Sequence, residues 1–179
     1  MNNWSRPALK TLINKPNLVG AEIGVDSGEN ALYILTYLDI KKLYLIDIWK
    51  GYNGLNGHGV IGNNDIAENC FNQARERLKD YNNKIVWIRD YSTKAVKLID
   101  DEELDFVYID GNHRYEYVKE DIIAYYPRVK IGGLVSGHDF KEDEPGVEKA
   151  VREILIDKQK ETVYKQNWDW WTIKKGIYA

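Results

Sequence analysis

At 179 residues, with 44% hydrophobic and 30% charged residues and a formal net charge of -3, the chain has the length of one domain and the composition of a globular protein. A sequence pI near 5.7 argues against a nucleic-acid partner, because phosphate binding rests on Lys and Arg, and makes a small molecule the expected ligand. Cys70 is the single cysteine, which excludes an internal disulfide, and the opening MNNWSRPALK lacks an apolar signal segment. No run approaches the roughly 20 apolar residues of a membrane span, so the expectation is one cytoplasmic domain over 1–179 with no membrane partner.

Taken in chain order, short apolar runs alternate with helical patterns. The first strand is predicted at 18–24 and the first helix at 29–37; a second strand at 42–48 leads into a stretch, 51–64, with five glycines and four asparagines. That stretch has no regular pattern and reads as a long loop, equally a functional lid or a mobile connection. A helix at 65–79, a strand at 84–88, a helix at 93–99, a strand at 104–110, a helix at 115–125, a strand at 133–137 and a helix at 145–155 follow. Two runs at 162–166 and 168–173 read as an antiparallel hairpin on the sheet edge. Strand and helix in alternation predict an α/β fold, a mostly parallel sheet with helices on both faces, and function at the C-terminal ends of the strands.

The run Val19-Gly-Ala-Glu-Ile-Gly-Val-Asp-Ser-Gly28 takes a strand into a glycine turn that opens a helix. Gly24 and Gly28 allow close backbone approach to a ligand, but neither the dinucleotide fingerprint nor the phosphate-loop pattern is present. Glu22 and Asp26 would repel a pyrophosphate and suit a cation such as S-adenosylmethionine, with its ammonium and sulfonium. Asp47, followed by Ile48, ends the second strand, where a carboxylate can accept from both ribose hydroxyls. Asp90 and Ser92 follow the third strand and can read the adenine edge. Each alone has a plainer reading, as a helix cap or an exposed strand end; three acidic positions after three successive strands favour a site.

A second group stands after the next two strands: Asp110 with His113, and His138 with Asp139. These four can converge on one point, as a divalent-ion site with Asp110 and Asp139 as hard oxygen ligands or as a metal-free site in which His113 or His138 is the general base. Strand-end caps bonded to one another are the plainer alternative. Of the aromatic residues, Trp168 and Trp170 are expected on one strand face and Trp171 on the other. Trp49 and Tyr52 stand near the expected cofactor, and His58 lies in the glycine-rich loop.

The motifs AEIGVDSG at 21–28, LYLIDIW at 43–49, DYS at 90–92, FVYIDGNHRYEYVKEDI at 106–122, GGLVSGHDF at 132–140 and PGVEKAV at 145–151 together resemble the class I S-adenosylmethionine-dependent methyltransferases. They look most like the branch with macrocin- and mycinamicin-type sugar O-methyltransferases and cephalosporin-hydroxylase-like proteins. The resemblance implies a Rossmann-like three-layer sandwich with a seven-stranded, mostly parallel sheet. It also implies Glu22 and Gly24 near the methionine part, Asp47 on ribose, and Asp90 and Ser92 at adenine, with magnesium on positions matching Asp110 and Asp139. Those enzymes commonly carry Asp-Asp where this chain has His138-Asp139, which biases the site toward softer metals.

The expected activity is methyl transfer from S-adenosylmethionine to a small-molecule or sugar hydroxyl, with Asp110 or a nearby histidine taking the proton and Asp139 orienting the acceptor directly or through a divalent cation. The acceptor pocket is either open or completed by a partner subunit, as in a homodimer. The alternative is a binding protein on the same scaffold that has lost turnover.

Overall fold

The computed structural model of the protein describes residues 4–51 and 64–176; Tyr52 and His58, with most of the glycine-rich stretch, lie outside the described residues. After a short helix α1 (Pro7–Lys10), the chain alternates β1 (Leu18–Ile23), α2 (Glu29–Tyr37), β2 (Ile40–Ile46), α3 (Asn64–Arg77), β3 (Ile85–Ile88), α4 (Ser92–Ala95), β4 (Leu104–Ile109), α5 (Tyr115–Tyr125), β5 (Val129–Gly137) and α6 (Pro145–Val151), ending in β6 (Tyr164–Gln166) and β7 (Asp169–Ile173). One seven-stranded sheet results, in the order β3-β2-β1-β4-β5-β7-β6. β1 to β5 are parallel, and β7 runs antiparallel between β5 and β6.

Strand alternation divides the core into two. Phe106 and Tyr108 of β4 face one side, with Leu43, Leu45 and Leu134, and are covered by α1, α2 and the end of α3 through Leu9, Ile34 and Leu78. Val107 and Ile109 face the other side, with Ile23, Ile46 and Trp170, under α5 and α6 through Ile122, Tyr125 and Val151. The sheet is therefore buried on both faces, as parallel sheets require. All five parallel strands end at the same edge. The order turns back between β1 and β4, and ligands bind at such a switch point in open α/β sheets.

Several boundaries differ from the sequence expectation for local reasons. β2 ends at Ile46, so Asp47 and Ile48 belong to the turn beyond it. The helix expected at 93–99 is α4 followed by a tighter turn over Val96–Leu98, and the one expected at 145–155 widens after α6 into an i→i+5 turn over Arg152–Lys158. Trp168 does not share a strand face with Trp170. It sits with Asn167 in the hairpin turn, at φ 68° and 49°, because a two-residue hairpin connection matches the strand twist only when both its residues have positive φ. Trp168 is 60% exposed, whereas Trp170 is fully buried.

Trp170 lies so close to β5 that a Cβ on Gly137 would fall 2.6 Å from its ring. Trp170→Ala removes this filling from the core and is expected to lower unfolding stability by about 3–5 kcal/mol, read as the midpoint shift in urea.

Candidate functional site

A cavity of about 340 Å³ opens at the switch point, lined from β1 by Ile23, Gly24 and Asp26, from β2 by Ile46, Asp47, Ile48, Trp49 and Lys50, and from the turns after β3 and β4 by Asp90, Tyr91, Ser92, Asp110, Gly111 and Asn112. Ala67 and Cys70 of α3 and Tyr117 and Asp121 of α5 complete the wall. Five carboxylates (Asp26, Asp47, Asp90, Asp110, Asp121) and one ammonium (Lys50) stand in this lining. Such a cavity is tuned to a cation and repels a phosphate.

Gly24 is required by space as well as by its φ of 84°: a Cβ there would lie 2.2 Å from the backbone oxygen of Asp110. The turns after β1 and β4 thus pack backbone on backbone. Asp47 holds the first of them, its Oδ2 accepting from the N–H groups of Val25 and Asp26 at 2.9 and 3.0 Å and its Oδ1 from Trp49 N–H at 2.9 Å. The expected ribose carboxylate is therefore also the brace of the glycine turn. Trp49 is buried, with its ring 4.8 Å from that of Phe71 and its Nε1 donating to the Asp26 carbonyl at 2.8 Å; it is a packed wall of the cavity rather than a loose cover.

Glu22 and Gly28 stand behind the lining. Gly28 is the left-handed N-cap of α2, where a Cβ would press on Ala74 at 3.2 Å. Glu22 is 1% exposed and accepts from Asn30 Nδ2 at 2.9 Å. Burial, only partly offset by that hydrogen bond, pushes its carboxyl up to about 8. It is thus a neutral acid at pH 7, not a surface charge for the ligand. Asp90 is held below the usual carboxylate range by the Tyr91 N–H. Ser92 is the first residue of α4, with its hydroxyl turned to Asp121. Burial raises the Asp121 carboxyl to about 7. Asp121 escaped the sequence reading, although it lies with Val118, Ile122 and Tyr125 on the buried stripe of α5, where a carboxylate calls for a reason.

The second group assembles in part. Asp110, His113 and Asp139 offer ligand atoms within 4.8 Å of one another. His113 Nε2 lies 3.1 Å from Asp139 Oδ2 and 3.7 Å from Asp110 Oδ1, and Nδ1 lies 3.7 Å from Glu144. Asp110 first, then Asp139 and Glu144, hold the imidazole pKa above its ordinary value against the effect of burial. Burial works to raise Asp139, but Lys141 at 2.9 Å and the two imidazoles bring it below the carboxylate range. His138 does not join the cluster: its Nδ1 lies 2.8 Å from Asp169 Oδ1. Asp169 is fully buried and also accepts from Tyr108 Oη at 2.7 Å and Ala8 N–H at 3.0 Å. Held by these two donors, Asp169 fixes the orientation of the His138 ring. Asp169 too escaped the sequence reading; its signal was a lone acid at the head of a strand otherwise aromatic and β-branched.

The strand order and an acidic cavity at the switch point define the class I S-adenosylmethionine-dependent methyltransferase fold, a Rossmann-like sandwich. A methyltransferase-domain family model matches residues 21–140, and the chain belongs to that family. Similar solved structures include the calicheamicin methyltransferase CalS11 (15% identity, 93% of this chain and 76% of that one, TM-score 0.66). An rRNA methylase from Streptococcus thermophilus aligns at 14% identity over 94% and 93% of the two chains, with TM-score 0.65. A Streptococcus mutans protein described as a methyltransferase, in complex with S-adenosylhomocysteine, aligns at 15% identity over 92% and 91%, with TM-score 0.64. At such identities the likeness is one of fold. No curated protein sequence matches the chain. Among the described residues no helix is long and apolar enough to cross a membrane.

The state of Glu22 sets a pH dependence. Between its ordinary 4.5 and about 8 the folded protein keeps a proton that the unfolded chain releases. Stability is therefore full below this window and falls as pH rises through it, at up to ~1.4 kcal/mol per pH unit. Urea midpoints measured from pH 5 to 9 are expected to decline in the wild type and to decline less steeply in Glu22→Gln, which carries no titrating group at this position.

Proposed function

We propose that the protein transfers the methyl group of S-adenosylmethionine to a hydroxyl of a small molecule or sugar. The observation that carries this reading is the acidity of the cavity, Asp26, Asp47, Asp90 and Asp110, with Asp121 raised to about 7, against one ammonium at the β1/β4 switch point, which matches a ligand bearing a sulfonium and an ammonium. Gly24 and Asp110 flank the methionine end, Asp47 with Ile48 the ribose, and Asp90 with Ser92 and Asp121 the adenine. The net charge of -3 and acidic cavity favour a small acceptor over a nucleic acid.

Asp110 joins the two halves, since it lines the cavity and also neighbours His113. An acceptor oxygen beside His113 lies next to the methyl end of the cofactor. The oxygen bonds to the methyl carbon as the carbon–sulfur bond breaks, the electron pair stays on sulfur, and the hydroxyl proton passes to His113 Nε2; positioning supplies much of the acceleration. The charges around it balance without a metal, Arg6, Lys141 and protonated His113 against Asp110, Asp139 and Glu144.

A second reading is favoured by the three donors themselves: Asp110, His113 and Asp139 fit a divalent cation, and the imidazole suits manganese, iron or zinc better than magnesium. Such an ion would acidify an acceptor hydroxyl. His138, oriented by Asp169, would then be the imidazole left to take the proton.

Calorimetric titration with S-adenosylmethionine and S-adenosylhomocysteine, with and without manganese or magnesium, tests the cofactor reading. Micromolar binding is expected; no binding by folded protein would overturn it. Binding without methyl transfer to any of a panel of glycosides and phenols would favour a scaffold without turnover. Once an acceptor is found, kcat/KM is expected to rise as pH climbs through the raised His113 pKa, because the imidazole must lose its resting proton to act as base. His113→Gln should lower kcat and flatten that limb; an unaltered profile, together with loss of activity on chelation, would favour the metal reading.

A further inference from the structure

The N-terminal segment reaches the site at three points. Trp4, which is buried, donates from Nε1 to Asn30 Oδ1 at 3.0 Å, and Asn30 is the residue that donates to Glu22. Ala8 N–H donates to Asp169. Between these two anchors Arg6 extends over the Tyr108 ring, its guanidinium carbon 6.0 Å from the ring centroid and its Nη2 3.7 Å from Asp110 Oδ2. The anchors fix the segment on both sides of Arg6, so its guanidinium is held against Asp110, which lines the cavity.

Two buried polar atoms behind the cavity wall lack partners. Arg6 Nε is buried and bonded to nothing, and so is Glu22 Oε2 on neighbouring β1. The remaining contact of the guanidinium is a 3.4 Å bond from Nη1 to the Ser5 carbonyl. A buried polar atom left open is costly, because it has lost its water without gaining a partner. Glu22 is neutral and does not neutralise Arg6. Its other acidic neighbours, Tyr108, Asp110 and Asp169, outweigh the effect of burial, and the guanidinium stays charged.

The methionine end of S-adenosylmethionine carries an ammonium and a carboxylate on one carbon. In a cavity dominated by carboxylates the ammonium is provided for many times over, whereas the carboxylate needs a cation. Lys50 stands on the β2 side, past Asp47 and Trp49; beside Asp110 stand Arg6 and His113, each 3.7 Å away, and of the two it is the guanidinium whose planar fork suits a carboxylate, His113 being the base in the reading above. We propose that Arg6, held by the Trp4 and Ala8 anchors, binds the methionine carboxylate of the cofactor while Asp110 takes the ammonium, so that the site selects the intact amino-acid tail. This rests on the cofactor reading above.

Decarboxylated S-adenosylmethionine, which keeps the sulfonium and an amine but lacks the carboxylate, separates the two. Calorimetry on wild type, Arg6→Met and Arg6→Lys with S-adenosylmethionine, S-adenosylhomocysteine and the decarboxylated compound is the experiment. Wild type is expected to prefer the carboxylate-bearing ligands. Arg6→Met should weaken both of them roughly ten- to a hundredfold, the span of a charge-assisted hydrogen bond, and leave the decarboxylated ligand unchanged, which also reports that the variant is folded. Arg6→Lys should restore part of the loss. Equal weakening of all three ligands, no weakening, or a wild type that does not discriminate would overturn the role of Arg6 while leaving the cofactor reading intact. A wild type that binds none of the three would overturn both.

Discussion

The three N–H groups gathered by the Asp47 carboxylate are the constraint on which the cavity depends. In a glycine turn with positive φ at Gly24 and Asp26, Gly24 N–H still donates to the Ile46 carbonyl of β2, but the amides of Val25 and Asp26 are beyond the ladder, and the carboxylate after β2 supplies their acceptor. One side chain therefore fixes the turn after β1 relative to the turn after β2. The approach of Gly24 to the Asp110 carbonyl then fixes the turn after β4 against both. Close backbone contact at a switch point explains how a small domain can hold three loops at the positions a ligand requires.

Charge is distributed by depth. Asp90, at the cavity surface, is held below the carboxylate range, whereas the buried carboxyls of Glu22, behind the lining, and Asp121, deep in its wall, are raised to about 8 and about 7. A field suited to a cation is thus built without stacking like charges in the core, where they would repel with little screening. Around His113 the same economy operates through pairing: Arg6 and Lys141 each stand against one of the carboxylates that flank the imidazole.

Much of this was legible in the sequence, because carboxylates that end apolar runs sit where parallel strands stop. Helices 29–37 and 115–125 were readable to the residue, since each is a compact amphipathic turn pattern with clear flanks. The strand-end acids Asp47, Asp90 and Asp110 do stand together around the cavity, and His113 and Asp139 stand beside Asp110, as their places after the strands led one to expect. What stayed hidden acts across the chain. Arg6 precedes every strand of the sheet and has no local pattern to mark it. Asp169 lies in a tryptophan-rich run whose apparent alternation begins one residue too early, because Trp168 belongs to the turn. The opposition of Trp170 and Trp171 is as expected, and Asp169, which shares its strand face with Trp171, lies on the Tyr108 side, which is why the acid meets His138 and the N-terminal segment.

The hydrogen bond from Ala8 to Asp169 spans 161 residues. Loop closure over such a distance is entropically unfavourable until intervening structure has shortened the gap. The segment around Arg6 precedes β1, yet its docking partner stands on β7, after the whole parallel sheet, so Tyr108 keeps its hydroxyl unpaired until β7 is in place. The His138 imidazole is likewise without its orienting carboxylate until then. β7 therefore acts as a clasp, and competence of the site is tied to the moment when it meets the segment that precedes β1.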